Sequence, residues 1–536
     1  MKDIVGPAAR GLASAVILAV LSGCSGQPPD RTAGHTGAST SAGPDAVSIC
    51  QADSISELEF KAARVRPSER QLRWQALEFQ AFVHFGMNTF TDREWGEGTE
   101  DPKLFDPTDF DAGQWVEAVK EAGIRGLIVT AKHHDGFCLW PSEFTEHSVK
   151  NSPWRGGKGD VVGAVAEACR EGGLAFGVYL SPWDRHEPSY GDSPRYNEHF
   201  KNQLRELLTR YGEVSEVWFD GACGEGPNGK RQVYDWAGYF ALIRELQPGA
   251  VISIMGPDAR WIGNEAGVTR ESEWSVIPVV GNDDAPDQKN PGGIAGLDAQ
   301  AKDLGSFGRI AEVARQGGRL IWYPGQVDVS IRPGWFYHAA EDDKVKTLEH
   351  LLDIYYTSVG GNAQLLLNIP PDKRGRIHES DAARLKELGD RLQATFAVDL
   401  AEGAKKETNK QITLVDGIDR RGRPTGYSVQ GPEVFSCVLG EARSFNVVLL
   451  MEDIRQGQRV EAFAFDIWEG AGPPTDRDLF GTSGWREIAR GTTIGWKKLL
   501  RFPTVATEAI RVRILRSRGD LRIARMPFGL YLDQER

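Results

Sequence analysis

Closely spaced cysteines are missing from this chain. There are six in 536 residues, and Cys50, Cys138, Cys169, Cys223 and Cys437 are widely spaced, odd in number and without a CxxC pair. That pattern provides neither a zinc clip nor a disulfide framework, so these five read as free structural thiols. A cationic surface is missing as well. Sixty-three Lys and Arg stand against 75 Asp and Glu, a net charge of −12, which excludes the clustered basic surface that a nucleic-acid partner requires. No internal repeat of fixed period is evident, and the apolar run from Gly11 to Leu21 is too short to span a bilayer by itself.

Tryptophan, by contrast, is abundant: 15 residues in an acidic chain. The apolar face of a pyranose stacks on an indole, so this composition fits a sugar-binding protein; a Trp-rich core is the alternative. The length points to two or three domains. At the start, Lys2 and Arg10 flank a short apolar stretch ending in Leu21-Ser22-Gly23-Cys24, which resembles a bacterial lipobox. On that reading residues 1–23 are a signal peptide and Cys24 is lipidated. The protein is then exported and anchored to the bacterial cell envelope, touching the membrane surface through that lipid only. An ordinary signal peptide with a chance Cys is the alternative. Residues 24–55, rich in Ser, Thr, Gly, Ala and Pro at their start, read as a flexible tether.

From 56 to 397, short apolar strands alternate with helical stripes. The strands are expected at Phe82–Phe85, Gly126–Thr130, Phe176–Leu180, Val217–Asp220, Val251–Ile254, Leu320–Tyr323 and Leu365–Asn368, with a weak sixth near Glu273–Ile277. Val162, Val165, Ala166 and Cys169 recur at helical spacing. So do Trp236, Tyr239, Phe240 and Ile243, and again Phe200, Leu204, Leu207, Leu208 and Tyr211. Alternation of this kind over so long a stretch predicts an α/β fold, best matched by a (β/α)8-like barrel. From 398 to 536 the apolar period becomes two, as in Ile510, Val512 and Ile514 around Arg511 and Arg513. This predicts a C-terminal β-sandwich.

Catalytic groups of a parallel barrel sit at the C-terminal ends of its strands. His84, the run Lys132-His133-His134-Asp135-Gly136, and Asp220 in Val217-Trp218-Phe219-Asp220-Gly221 all fall there. Asp220 has the position of an exposed reactive carboxylate, and equally that of a helix N-cap. The paired histidines, with His84 and Asp220, leave a metal hydrolase open, and hydrogen-bonded core histidines are the plainer alternative.

Several motifs, in order, resemble glycoside hydrolase family 29, the α-L-fucosidases: Phe82-Val83-His84-Phe85-Gly86, Thr130-Ala131-Lys132-His133-His134-Asp135-Gly136-Phe137, Tyr179-Leu180-Ser181, Val217-Trp218-Phe219-Asp220-Gly221, and Gly360-Gly361-Asn362 through Leu365-Leu366-Leu367-Asn368 to Pro370-Pro371. The resemblance spans roughly residues 70 to 395. It implies a barrel-like catalytic domain, retention of configuration, no catalytic metal and no cofactor, with a fucosylated oligosaccharide or glycoconjugate as substrate. It makes Asp220 the nucleophile, with His84, His133, His134, Tyr179 and Trp218 around the fucose, Glu94 as an early acidic sugar ligand and Trp335 near the C6 methyl. The acid/base varies within the family. Arg260-Trp261-Ile262-Gly263-Asn264-Glu265-Ala266-Gly267 is similar to the motif of an α-1,3/1,4-selective branch, which favours Glu265 over Glu271 and Glu273. The C-terminal segment resembles discoidin-like modules, with carbohydrate binding or simple support of the barrel as its two possible roles. A broad-specificity fucosidase acting also on α-1,2 linkages, a metal-dependent hydrolase and an inactive glycan-binding lipoprotein stand as the other functions.

Overall fold

A computed structural model describes residues 46–281, 284–286, 292–408, 433–518 and 528–535. The apolar stretch near the start, Cys24 and most of the expected tether lie outside the described residues. The end of that tether belongs to the fold: β1 (Ala46–Ile49) is a sheet strand and Ile49 is buried. Just after it Ser54 caps the helix Ile55–Ala62 in a reciprocal box with Glu57. A polar context in sequence hid a short apolar edge strand whose partner lies far along the chain.

β2 (Phe79–Val83), β3 (Gly126–Lys132), β4 (Ala175–Leu180), β5 (Glu216–Phe219), β6 (Val251–Ile254) and β7 (Arg260–Trp261) follow. The helices Ala112–Glu121, Val161–Gly172, Ser193–Arg210 and Trp236–Leu246 lie between them, the last three where the apolar stripes predict. β8 (Val276–Val280) and β9 (Gly318–Trp322) then turn away and complete a small antiparallel sheet in the order β1-β9-β8. β10 (Gly325–Ser330) and β11 (Gln364–Asn368) return. The main sheet runs β6-β5-β4-β3-β2-β11-β10-β7, with every ladder parallel. Between β6 and β7 the described residues show a single bridge, Ser253 to Ala259, so the eight-stranded barrel is nearly closed.

Two strand expectations are corrected. The apolar run Leu320–Tyr323 and the weak segment at Glu273–Ile277 form the side sheet, not the barrel. The sixth and seventh barrel strands are instead β7 and β10. Buried parallel strands usually read as continuous apolar runs, and β10 does not: Gln326, Asp328 and Ser330 alternate with Val327 and Val329. The polar side chains point inward because the barrel interior here is itself polar. Glu216 accepts hydrogen bonds from Gln80 Nε2 (2.7 Å), Trp74 Nε1 (2.7 Å) and Gln326 Nε2 (2.9 Å). Gln326 also donates to Gln364 (2.8 Å). β2, β5, β10 and β11 thus each place one polar side chain in a buried layer.

The C-terminal region holds β12 (Lys405–Thr408), β13 (Glu433–Leu450), β14 (Val460–Trp468), β15 (Trp485–Gly491), β16 (Lys498–Ser517) and β17 (Phe528–Tyr531). All pair antiparallel, in the order β12-β13-β16-β14-β15 with β17 on β13. β13 and β16 are long and pass register shifts that bend them. Their apolar side chains, Phe445, Phe502 and Ile510 among them, share one core with Phe465 of β14. This region grips the barrel with buried polar contacts: Lys497 and Trp496 to Glu78, Trp496 N to Asn362 Oδ1 (2.7 Å), and Ser275 N to Gln458 (2.7 Å). All five described cysteines are free thiols, and no described helix is long and apolar enough to cross a membrane.

Candidate active site

The C-terminal ends of the barrel strands surround a cavity of about 360 Å³, within the range of small-molecule sites. His84, Glu94, His133, His134, Trp218, Asp220, Glu265 and Trp335 all line it. Tyr179 stands just behind, its hydroxyl donating to Asp220 Oδ2 at 2.9 Å.

Asp220 follows the last residue of β5. Its Oδ1 accepts from Ala222 N at 2.7 Å, and His134 Nε2 lies 3.8 Å from Oδ2. The carboxylate is therefore fixed by a tyrosine hydroxyl and a backbone amide and paired with no Lys or Arg among the described residues. Burial, with Asp220 adding to it, drives the Tyr179 hydroxyl well above its ordinary value, so it remains a donor.

The three histidines are each tied separately. His84 Nδ1 meets Asn368 Oδ1 at 2.8 Å, His134 Nδ1 meets Ser181 Oγ at 2.7 Å, and His133 Nδ1 meets Asn88 Nδ2 at 3.3 Å. β3 ends at Lys132, so His133 and His134 both lie beyond the strand and both reach the cavity. Burial lowers all three; His84 is brought to about 4 despite the Asn368 bond and the nearby Glu94 and Asp220. Neutral imidazoles result, each able to offer one donor and one acceptor to a hydroxyl. Among the described residues no three His, Cys, Asp or Glu side chains converge as metal ligands.

Glu94 is doubly occupied. Its Oε2 accepts from Trp335 N (2.8 Å) and its Oε1 from Phe336 N (3.2 Å) and His338 Nε2 (2.7 Å). It thereby pins the segment that carries Trp335, whose carbonyl accepts from Asn368 Nδ2 at 2.8 Å. Trp218 is held from inside the barrel by Gln326 Oε1 at 3.0 Å. Ile254, at the end of β6 and in the cavity wall, has φ +65°, a strained conformation for a β-branched residue and of the kind that clusters at functional sites.

The three candidate acids separate clearly. Glu265 is exposed at the cavity. Burial of its carboxyl raises its pKa, a hydrogen bond from Trp335 opposes this, and the charge of Asp220 adds to it. Glu273 is 1 % exposed and ion-paired to Arg260 and Arg270. Glu271 does not line the cavity, and its carbonyl accepts from Thr492 Oγ1.

A family model described as alpha-L-fucosidase matches residues 60–267 and 298–395. The chain belongs to the α-L-fucosidases of glycoside hydrolase family 29. Alpha-L-fucosidase 1 of Arabidopsis thaliana is 40% identical over 484 residues, 87% of this chain and 88% of its own length. Among solved structures, a glycoside hydrolase 29 family member from an unknown rumen bacterium is 40% identical, with a TM-score of 0.70 over 88% of this chain and 78% of its own. A Ruminococcus gnavus GH29 fucosidase in complex with fucose is 31% identical, with a TM-score of 0.71 over 91% of this chain and 99% of its own.

Sequence reasoning missed some of this fucosidase site. Trp95, 53 % exposed, lines the cavity and stands edge-on to His134 and Trp183. Trp261 lines it from the end of β7, and Asp328 from β10. The signal for Asp328 was present: a lone carboxylate alternating with valines. It becomes visible only once Gly325–Ser330 is read as a barrel strand. In contrast, the family motif Gly360-Gly361-Asn362 does not reach the cavity. Asn362 binds Glu273 O and Trp496 N, joining the barrel to the C-terminal sheet.

Proposed function

We propose that the chain is a retaining exo-α-L-fucosidase that removes α-1,3/1,4-linked fucose from branched, Lewis-type glycans, with Asp220 as nucleophile and Glu265 as acid/base. The observation that carries this reading is the pair of carboxyls in one cavity with different environments. Asp220 is steadied by a tyrosine O–H and a backbone N–H. Glu265 has its pKa raised by burial and by the charge of Asp220, the direction a proton donor needs. Retaining glycosidases hold two such groups about 5–5.5 Å apart. Asp220 attacks the anomeric carbon while Glu265 protonates the departing oxygen. Glu265 then takes a proton from the water that hydrolyses the fucosyl-enzyme. Neutral His84, His133 and His134 hydrogen-bond the fucose hydroxyls, with Glu94, Trp218 and Trp335 completing the walls.

The linkage rests on the motif around Glu265. A branched substrate carries galactose beside the fucose, and binding energy from that remote sugar can help organise the Glu265 loop in the transition state. The test is kcat/KM measured side by side. Lewis a and Lewis x trisaccharides should exceed 2′-fucosyllactose and aryl fucosides by about 10²-fold, roughly 2.7 kcal/mol of transition-state binding. Equal or better rates on the α-1,2-linked sugar would assign the chain to a broad-specificity enzyme.

The lipobox-like Leu21-Ser22-Gly23-Cys24 supports a further proposal, lipidation at Cys24 and anchoring to the cell envelope. Cys24→Ser should move the protein from the membrane fraction to the soluble one at unchanged specific activity. Retention of this variant by the membrane would rule the lipid out as the anchor.

A further inference from the structure

Asp328 is a carboxyl in the cavity wall to which the chemistry above gives no part. It sits on β10, is 4 % exposed, and shares the cavity with Asp220 and Glu265. Its Oδ1 accepts from Trp261 Nε1 at 2.7 Å. Trp261 is the last residue of β7, and the loop that follows carries Glu265.

Backbone pairing holds β7 sparingly. It has two register pairs with β10, Gly325–Arg260 and Gln326–Trp261, and beside β6 the described residues show one bridge from its flank. Side chains add to the backbone bonds that Arg260, Trp261 and Ile262 donate to Pro324, Gly292 and Gln326. On the outside, Arg260 binds Glu273, Trp274 O (3.0 Å) and Tyr323 O (3.1 Å). On the inside, the Trp261 indole is held by Asp328. The fit is close, since a Cβ on Gly292 would come within 3.1 Å of the indole.

We propose that Asp328 is a positioning residue for Glu265: by holding Trp261 it fixes where the Glu265 loop begins. This rests on the acid/base reading of Glu265. The charged groups facing Asp328 are Glu265, from the loop after β7, and Asp220, from the tip of β5. β11 presents Leu366 in register, Arg260 of β7 is turned to Glu273, and His84 beyond β2 is neutral. Burial, then Glu265, push Asp328 to about 8, so at neutral pH it is a carboxylic acid. It therefore holds the Trp261 indole through an acceptor oxygen without placing a charge beside Glu265.

The test is the pH profile of kcat/KM on a fucosylated oligosaccharide, whose leaving group needs protonation, for the full chain and four variants. Asp328→Asn keeps an oxygen for Trp261 and, like the acid form, is uncharged; it should keep kcat within about 3-fold with the basic limb unmoved. Trp261→Phe removes the donor and Asp328→Ala the acceptor, and each should lower kcat by about 10-fold with KM changed less. On an activated aryl fucoside all three should change kcat by no more than about 3-fold. A loss in Asp328→Asn as large as that in Asp328→Ala overturns the inference, and so does an equal loss on both substrates in Asp328→Ala. Glu265→Gln separates the two readings. If it keeps full activity on the oligosaccharide, the acid/base reading itself fails. If it loses that activity while Asp328→Ala keeps it, only the present inference fails.

Discussion

The two ends of the barrel both bury carboxyls, and they treat them in opposite ways. At the closed end Glu216 is fully buried and receives three donors, from Trp74, Gln80 and Gln326. At the open end Asp220, Glu265 and Asp328 face one cavity with few partners each. A carboxylate whose hydrogen-bonding capacity is filled by the protein stabilises a fold and has nothing left for a substrate. One that is fixed on one side and open on the other can react. The same contrast separates Glu273 from Glu265 on a single connection: the first is clamped by two arginines, the second is free to meet a sugar.

The sharpest way to break this comparison is to remove one carboxyl from each end. Asp220→Ala should cost about 10³-fold or more in kcat/KM, because the covalent step loses its nucleophile. Its midpoint in denaturant should stay near that of the native chain, since few donors lose a partner. Azide should rescue it on an activated substrate, yielding a β-fucosyl azide; substantial unaided turnover would remove Asp220 from the mechanism. Glu265→Ala comes next. It should lower kcat/KM by about 10²-fold on oligosaccharides and far less on aryl fucosides, because only poor leaving groups need the proton. Azide rescue here should give α-configured product. If Glu271→Ala or Glu273→Ala gives that leaving-group signature instead, the assignment of the acid is wrong.

Glu216→Ala should show the reverse. Three buried donors would lose their acceptor, at about 1–3 kcal/mol each when left unpaired. A total of roughly 3–5 kcal/mol, relaxation included, should appear as a lower midpoint in equilibrium unfolding. The folded fraction should retain kcat within about threefold, apart from effects passed to Trp218 through Gln326. A variant as stable as the native chain would show that the polar layer contributes nothing to stability.

The comparison also explains what was legible in the sequence. Strands such as Gly126–Lys132 and Val251–Ile254 are mostly apolar, and polar side chains at the strand ends follow from the geometry of parallel barrels. β10 and β7 escaped notice because the barrel interior beside the cavity is polar. Gln326, Asp328 and Ser330 make a barrel strand look like a loop, and Arg260-Trp261 is too short to show a period. The apolar Leu320–Tyr323 then stood in for the missing strand. Glu265 could be favoured over Glu273 through a family-like motif and the glycines that flank it, Gly263 and Gly267. Burial of Glu273 between two arginines depends on residues brought together by the fold, and no spacing rule announces it. The contribution of Asn362 to the contact between barrel and C-terminal sheet is of the same kind.

The smallest expected effect tests the open end by stability instead of rate. In the folded chain the pKa of Asp328 is raised to about 8 from an ordinary 3.8, chiefly by burial. A carboxyl raised in this way binds its proton more tightly in the folded state than in the unfolded one. Its contribution to stability is fully present below the unfolded value and is lost as pH rises through the folded value. Asp328→Asn is always neutral and lacks this dependence. The native chain should therefore lose stability relative to Asp328→Asn as pH goes from 5 to 9. The difference should reach roughly 2–4 °C in Tm at the upper end, with most of the change complete by about pH 8. At the closed end, Glu216 also has a raised pKa from burial, but hydrogen bonds, those from Gln80, Trp74 and Gln326 among them, oppose the shift. Glu216→Gln should accordingly show a weaker pH dependence and a loss of stability at every pH, because an amide cannot accept from as many donors as a carboxylate. Parallel Tm-against-pH curves for the native chain and Asp328→Asn would show that Asp328 is not held in its acid form. The distinction between a filled carboxyl below and an open one above would then rest on Asp220 and Glu265 alone.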